Sequence, residues 1–510
     1  MSEYNLIDEK WIPVRLPDGQ HENFGILATL TNAKNIKSIE HHSPLVVASL
    51  HRLLLAVLYR ALMGPTDISQ ARRYFQEGFP EQKIKDYLAK WRDRFWLFDE
   101  NYPFWQIPSF TPQRLRSWTA LAAEHNADNA KVLFDHVAVN DSGSIGPAQC
   151  AQWLAAMQTF SVSAGKSELA HTGAAPTATA ALVIPLGRNL FETLAYCLAH
   201  ENKMVIENDL PVWEREPETV DHLRTGPKRQ NFGYADRYTW KTRSVKLFRL
   251  PGNLVEKLAF ASGVGHEETG SEEPMVAYRI HEKNGKLPVP FKERGFWREF
   301  DAILPDSANS DLIPKVIENA IALAQNKSEL LPTAIMVLGQ ANDKAKIEFW
   351  RMERFSFPSK IKEDHNIKQE IKALLEKAED SQSSLWNACR IFSQATLCRG
   401  TRDIRKTDIT SFINQMSVIP TYWSEMEANF HRILDKFKFG GDEEEIELFW
   451  LQAIKRAISN SWNLHRNSAA AGNVWAIRAL VKADGIIQKK LSELSKEINA
   501  IKSNLKMEVE

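Results

Sequence analysis

Apolar positions follow different periods in different parts of this chain. Residues 1–40 alternate in short runs, NLIDEKWIPVRL and FGILATL, with Asp18-Gly19 between them. Asp-Gly between alternating apolar runs is a hairpin signal, so short strands are predicted there. From Pro44 to Gly64 nearly every position is apolar, PLVVASLHRLLLAVLYRALMG, broken by His51, Arg52 and Arg60. Those interruptions favour a buried amphipathic helix over a membrane span. Helical spacing returns at 81–97, at 147–160 (PAQCAQWLAAMQTF, with a proline suited to a first helical turn) and at 188–200. The proline- and glycine-rich stretch 101–147 predicts loops, and the small, polar stretch 161–187 predicts an exposed loop ending in a strand.

From Thr239 to Phe355, strand-like runs (SVKLFRL, MVAYRI, TAIMVLGQ, AKIEFWRM) alternate with turns and one helical stretch, DLIPKVIENAIALAQNK. The last two runs meet at LGQANDKAKIEFW, Leu338–Trp350, a predicted hairpin with Gln340, Asn342, Asp343 and Lys344 at its point. Beyond Pro358 the strand pattern ceases. HNIKQEIKALLEKAED reads as a charged linker helix, and 383–510 is helical by period, with turns near Gly400, Pro420, Gly440-Gly441 and Gly472. In the last helix Leu480, Ile487, Leu494 and Ile501 recur at every seventh position, with Ile477, Leu491 and Ile498 beside them. Long helices joined by short turns predict an up-down bundle. The chain is therefore expected to be α+β. A large mixed N-terminal domain, 1–365, would hold several small sheets and helices, and an all-α four-helix bundle would occupy 366–510.

Composition narrows the function classes. Of 510 residues, 44% are hydrophobic, enough for a large core and more than one domain. Lysine plus arginine equals aspartate plus glutamate, 64 against 64, so a polyanionic partner must be met by local patches. Cys150, Cys197, Cys389 and Cys398 show no C-x-x-C spacing, which fits a reducing cytoplasm better than a zinc ribbon or disulfide framework. The opening MSEYNLIDEKWIPVRL lacks the regions of a signal peptide.

Catalytic motifs do not emerge. SAGKSE (163–168) ends like a phosphate-binding loop, but Phe160 stands where the first glycine belongs. The alternative is a flexible loop whose Lys166 and backbone N–H groups touch phosphate. The pairs at His41-His42, Asp135-His136 and Asp221-His222 match no metal-binding spacing. A non-enzymatic chain without metal or cofactor is expected. The strongest chemical signal lies at 224–249, RTGPKRQNFGYADRYTWKTRSVKLFR, with eight Lys/Arg against the single acid Asp236. Phe232, Tyr234, Tyr238 and Trp240 are interleaved with the cations. Cations contact phosphates and aromatics stack on bases, so Lys228, Arg229, Arg237, Lys241, Arg243 and Lys246 are candidate nucleic-acid contacts. The plainer reading is a strand with a solvated basic face.

Several segments, in order along the chain, resemble the CasA-type large subunit of the type I-E CRISPR Cascade complex. They are NLIDEKWIPV, FWLFDENYPFWQI, VLFDH followed by SIGPAQCAQWLAAMQTF, YADRYTWKTRSVKLF and LGQANDKAKIEFW, with the helical C-terminus after them. The resemblance implies a non-catalytic subunit assembled with other Cascade subunits at the 5′ end of the guide crRNA. Such a subunit reads the protospacer-adjacent motif (PAM) in target double-stranded DNA, helps open the duplex for R-loop formation and recruits a trans-acting helicase–nuclease. It implies no membrane and no cofactor. By the same resemblance, Phe134, Asp135 and His136 fall in a first DNA-facing loop. Ser163, Ala164, Gly165 and Lys166 fall in a glycine loop at the PAM minor groove, where this chain keeps only Gly165. Asn342, Asp343 and Lys344 fall at the point of a wedge hairpin, with Lys344 replacing a glutamine of some relatives. His266 falls near a PAM-contacting lysine. ASGVGHEETGSEEPM matches a cysteine-rich metal loop of some relatives but has no cysteine, so no zinc is expected. The alternatives are the large subunit of another type I complex, a divergent metal-dependent nuclease using His41, His42 and Asp135, or an interaction scaffold with no DNA role.

Overall fold

A computed structural model describes residues 3–122, 143–163, 168–267, 270–305, 310–325, 327–343, 346–358, 366–399, 403–439, 441–470 and 474–507. The chain divides into two compact units. One comprises Met1–Phe296 with Ala308–Arg354, and the other Trp297–Ser307 with Phe355–Glu510. The first is mixed α+β and the second is helical, in agreement with the predicted fold class.

The mixed unit is built around helix Pro44–Leu62, in which every residue is buried. Its apolar residues meet helices Glu81–Lys90, Pro147–Phe160 and Tyr234–Tyr238 and the strand Ala334–Asp343. It is long and apolar enough to cross a membrane, yet it is enclosed by protein on all sides rather than on one amphipathic face. Each polar interruption is therefore partnered, as burial demands. His51 Nδ1 lies 2.8 Å from Val47 O, Arg52 pairs with Glu273 at 2.8 Å, and Arg60 binds both carboxylate oxygens of Glu214 at 2.7 and 2.8 Å.

Small sheets surround this helix. Asp18-Gly19 turns an antiparallel pair, Ile12–Arg15 with His21–Phe24, and Gly19 takes the positive φ of 91° that favours glycine. Strand Arg243–Arg249 pairs antiparallel with Val255–Ser262. Lys228–Arg229 pairs parallel with Gly265–His266. Leu182–Leu186, Ala334–Asp343 and Lys346–Ser356 form one three-stranded sheet with Ala334–Asp343 in the middle.

Three local expectations change. The helix expected over 81–97 stops at Lys90, and Trp96–Phe98 becomes a strand paired with Glu3–Asn5. Helix Ile68–Glu77, capped by Asp67 accepting from Gln70 N–H, went unread in the sequence. The stretch 161–187 is exposed only in part. Ala175, Ala178, Ala180 and Ala181 are buried, and Leu182–Leu186 is an interior strand.

In the helical unit the long helices Ile367–Cys398, Val418–Lys438, Glu443–Ala470 and Val474–Met507 pack in a ring of neighbours, with the short Lys406–Asn414 beside the first. HNIKQEIKALLEKAED is not a linker. It forms the opening turns of Ile367–Cys398 and buries Ile367, Ile371, Leu374, Leu375 and Ala378. Pro420 sits in the first turn of its helix, where no intrahelical N–H bond is lost. Polar tips inside the bundle are satisfied: Trp450 Nε1 donates to Leu374 O at 2.6 Å and Tyr422 Oη to Ala378 O at 2.9 Å. Trp297 joins this core, with its ring 5.6 Å from that of Trp423 and 5.3 Å from that of Phe430. Leu480, Ile487 and Leu494 are buried as the seven-residue spacing predicts, as is Ile498 beside them, while Ile501 and Leu491 are half-buried; Ile477 is 47% exposed and Ala476, Ala479 and Ala483 take its place.

Candidate nucleic-acid interface

The hairpin begins inside the protein. Gln340 is fully buried rather than at the point, and its Nε2 donates to Phe160 O at 2.6 Å. That bond ties the strand Ala334–Asp343 to the last residue of helix Pro147–Phe160. Gly339 allows the close approach, since a Cβ there would lie 2.9 Å from both Ala180 O and the Phe291 side chain. The point is therefore shorter than the sequence suggested. Asn342 is half-buried, Asp343 ends the first strand, and Lys344 lies outside the described residues.

Helix Pro147–Phe160 leads into Ser161–Ser163. Ser163 Oγ lies 3.1 Å from His171 Nε2, while Ala164, Gly165 and Lys166 lie outside the described residues, as do Phe134, Asp135 and His136. Ser161, Val162 and Ser163 line a cleft of about 60 Å³ together with Ile347 of the hairpin and Arg243. Three segments distant in sequence thus converge: the flank of 164–167, the hairpin and the basic stretch.

The basic stretch is not one solvated face. Lys228 is exposed and Lys246 half-buried, but Lys241 is buried and the other three candidates are bound to internal partners. Arg229 binds both oxygens of Asp236, at 2.6 and 2.8 Å, and stacks 4.0 Å from the Trp240 ring centre. Arg237 donates to Glu273 at 2.9 Å and to Ser271 O at 3.0 Å. Lys241 is buried, and burial pulls its ammonium down to about 8. Arg243 is buried against backbone carbonyls. His266 Nε2 lies 2.9 Å from Asn231 Oδ1, its ring meets Trp240 edge-on, and burial followed by the charge of Arg237 pushes it down to about 4. At neutral pH His266 is therefore uncharged and acts as a hydrogen-bonding group.

Apart from Asp236, the acids that meet this stretch come from elsewhere in the sequence, which is why its local charge count misled. Glu273 sits between Arg52 and Arg237. Asp209 accepts from the N–H groups of Ala235 and Asp236, at 2.7 and 2.6 Å, and so caps helix Tyr234–Tyr238. Glu201 accepts from Tyr234 N–H at 3.4 Å, and burial followed by the Asp209 charge raises its carboxyl to about 8. That shift gives a pH prediction. Between the ordinary carboxyl value and about 8 the folded chain holds a proton on Glu201 that the unfolded chain has lost, so stability falls as pH rises through this window. Glu201→Gln keeps the neutral form at all pH. Thermal melting should therefore show the variant gaining on the wild type between pH 5 and pH 8.5, with little difference at the acidic end. A gap that is constant across pH would mean that the Glu201 carboxyl is ionised in the fold.

His41 and His42, considered for a metal, stack on each other with ring centres 4.0 Å apart and both meet Trp153. His41 Nδ1 accepts from Ser43 N–H at 3.0 Å, and burial followed by His42 pushes this imidazole down to about 4. Asp135, their proposed partner, lies outside the described residues.

Comparison with known proteins follows the same residues. The family described as CRISPR-associated protein Cse1 matches residues 5–461. The CRISPR-associated protein CasA/Cse1 of Thermus thermophilus is 31% identical over 514 residues, 98% of this chain and 99% of that one. The solved structure of Thermus thermophilus CasA (Cse1) superimposes with a TM-score of 0.84 at 29% identity, covering 97% of this chain and all of the other. A chain of a structure titled CRISPR RNA-guided surveillance complex shares the fold, with a TM-score of 0.75 at 17% identity over 96% of this chain and all of the other. The chain belongs to the CasA/Cse1 family of CRISPR-associated proteins.

Proposed function

We propose that this chain is the non-catalytic large subunit of a cytoplasmic, RNA-guided type I-E surveillance complex. It sits with the other Cascade subunits at the guide's 5′ end, reads the PAM in target duplex DNA, helps open that duplex and recruits the helicase–nuclease. In RNA-guided recognition, base pairing reads the target while protein reads only the PAM and the backbone. A chain of zero net charge suits that division, because it needs local contacts rather than a broad positive field.

The observation that carries the reading is the convergence at Phe160. The end of helix Pro147–Phe160, which leads into 161–163, and the base of the hairpin are bonded to each other through Gln340, so both start from one fixed point. Opening a duplex costs about 1.4 kcal/mol per base-pair step. A rigid hairpin seated on the same base as the PAM-reading segment needs to hold only a few steps apart until guide pairing compensates.

The test is titration of PAM-bearing duplex against the assembled complex at several salt concentrations. Replacing both Lys166 and Lys344 with alanine should weaken binding about tenfold and reduce the log–log salt slope by about two, one for each lost phosphate contact. Unchanged affinity and slope would overturn this placement of the interface.

A further inference from the structure

Helix Val474–Met507 carries an apolar stripe on the face turned away from its own bundle. Ile477 is 47% exposed and Val481 is 72% exposed, with Val474 exposed one turn before them. Gly485 follows at the next turn, and a Cβ added there meets nothing within 4 Å. Ile477, Val481 and Gly485 are spaced by four, so they lie along one ridge of the helix. At about 3.6 residues per turn, Val474 joins them within an arc of about 80°. The buried positions Ala476, Ala479, Leu480, Ala483 and Ile487 occupy the opposite side.

Charge is sorted on the same face. Arg478, Lys489 and Lys482 occupy about the next 60° of arc beside the stripe, and all three are exposed. Among the described residues no carboxylate pairs with any of them, and Arg478 leans on the Trp475 ring at 5.7 Å. Asp484, the single acid between Val474 and Ser492, is already engaged. It accepts from Trp462 Nε1 at 2.7 Å and lies 3.9 Å from Arg466. Lys490, on the side of the bundle, pairs with Asp380 at 2.6 Å. An exposed glycine in the interior of a 34-residue helix weakens that helix relative to alanine. What it provides is a notch where another backbone can approach closely. The stripe, the notch and the row of cations are three features of one face, and the fold of this chain uses none of them.

We propose that this face docks an amphipathic α-helix of a protein partner. The partner's apolar side lies along Ile477 and Val481, its backbone crosses at Gly485, and its acidic flank meets Arg478, Lys482 and Lys489. Ridges spaced by four pack with a crossing angle of about −50°. The row of cations decides the occupant. A second copy of this chain would bring three more cations to those already there, with no acid of the stripe left to answer them. A nucleic-acid backbone would meet the cations but set Ile477 and Val481 against phosphate. An acidic amphipathic helix satisfies both halves of the face, and Trp475 with Arg478 supplies the residue types that dominate interface energies. The inference does not rest on the DNA reading above.

The experiment uses the full chain and a synthetic helix of about 20 residues, with leucine at every third or fourth position and glutamate on the flanks. A second peptide carries lysine in place of each glutamate. Fluorescence anisotropy should show the glutamate peptide binding at least about tenfold more tightly than the lysine one. Val481→Asp should weaken that binding about tenfold without lowering the melting temperature, since Val481 is exposed. Gly485→Ala should raise the melting temperature yet weaken binding about threefold, a combination that a purely structural glycine would not give. If Val481→Asp does not fold, Gly485→Ala alone decides. Equal affinity for the two peptides would overturn the inference, as would glutamate-peptide binding that both variants leave unchanged. So would sedimentation showing that the chain dimerises and that Val481→Asp abolishes the dimer, because a second copy would then cover this face.

Discussion

Replacing Glu273 with glutamine should lower the unfolding free energy of the mixed unit by about 3–5 kcal/mol at neutral pH. Glu273 is buried with Arg52 on one carboxylate oxygen, at 2.8 Å, and Arg237 on the other, at 2.9 Å. Burial by itself would raise its carboxyl, but the charges of Arg52 and Arg237 outweigh that and hold it below the ordinary carboxylate value. Glutamine matches the shape and removes the charge, leaving two buried guanidinium groups with no anion between them. The Arg52 guanidinium also lies 4.4 Å from the Tyr238 ring centre, a contact too weak to replace the carboxylate. Urea unfolding followed by tryptophan fluorescence reads the effect as a lower midpoint at unchanged slope. Because the folded-state value is depressed, the carboxylate's contribution is present above the ordinary carboxyl value and is lost as pH falls through the folded one. The gap between wild type and variant should therefore narrow on acidification. A loss below about 1 kcal/mol would show that neighbouring dipoles, and not this charge, neutralise the pair.

The second large effect lies in the helical unit. Ile371→Ala should cost about 2–5 kcal/mol, the range for a buried isoleucine truncated in a core that relaxes only partly. Ile371 is fully buried, in a stripe with Ile367, Leu374, Leu375 and Ala378, and Trp450 bonds the backbone of the next turn at Leu374. The neighbouring Lys372 is exposed and its pair with Glu376 at 3.7 Å is a surface one. Lys372→Ala should thus change stability by no more than about 0.5 kcal/mol. Comparing the two melts distinguishes a core helix from a tether between units: in a tether, both substitutions would be equally mild.

That contrast explains why this helix was misread. HNIKQEIKALLEKAED is mostly charged by count, and count suggests a linker. Its apolar residues nonetheless recur every three or four positions, and this narrow stripe is sufficient when three other long helices cover it. Ile477 shows the opposite error. Its spacing placed it in the seam, but smaller alanines on the same helix face the core and leave it outside. Period predicts that a helix has a buried face; the size and position of the neighbours decide which residues line it.

For the candidate interface, the sequence alone determined the α+β class, the hairpin at Leu338–Trp350, the Asp-Gly turn, the apolar helix at Pro44–Leu62 and, through segments in order along the chain, the family. These depend on local period and residue order, and both are written in the sequence. Only the tertiary structure decided what the charged and polar groups do. Gln340 was expected at a point and serves as a buried bond to Phe160. Arg229, Arg237 and Arg243 were expected on a surface and are held by Asp236, Glu273 and the carbonyls of Val162 and Gly173. A side chain's charge is fixed by its chemistry, but whether that charge faces DNA or the core depends on partners such as Glu273, brought near only when the chain folds.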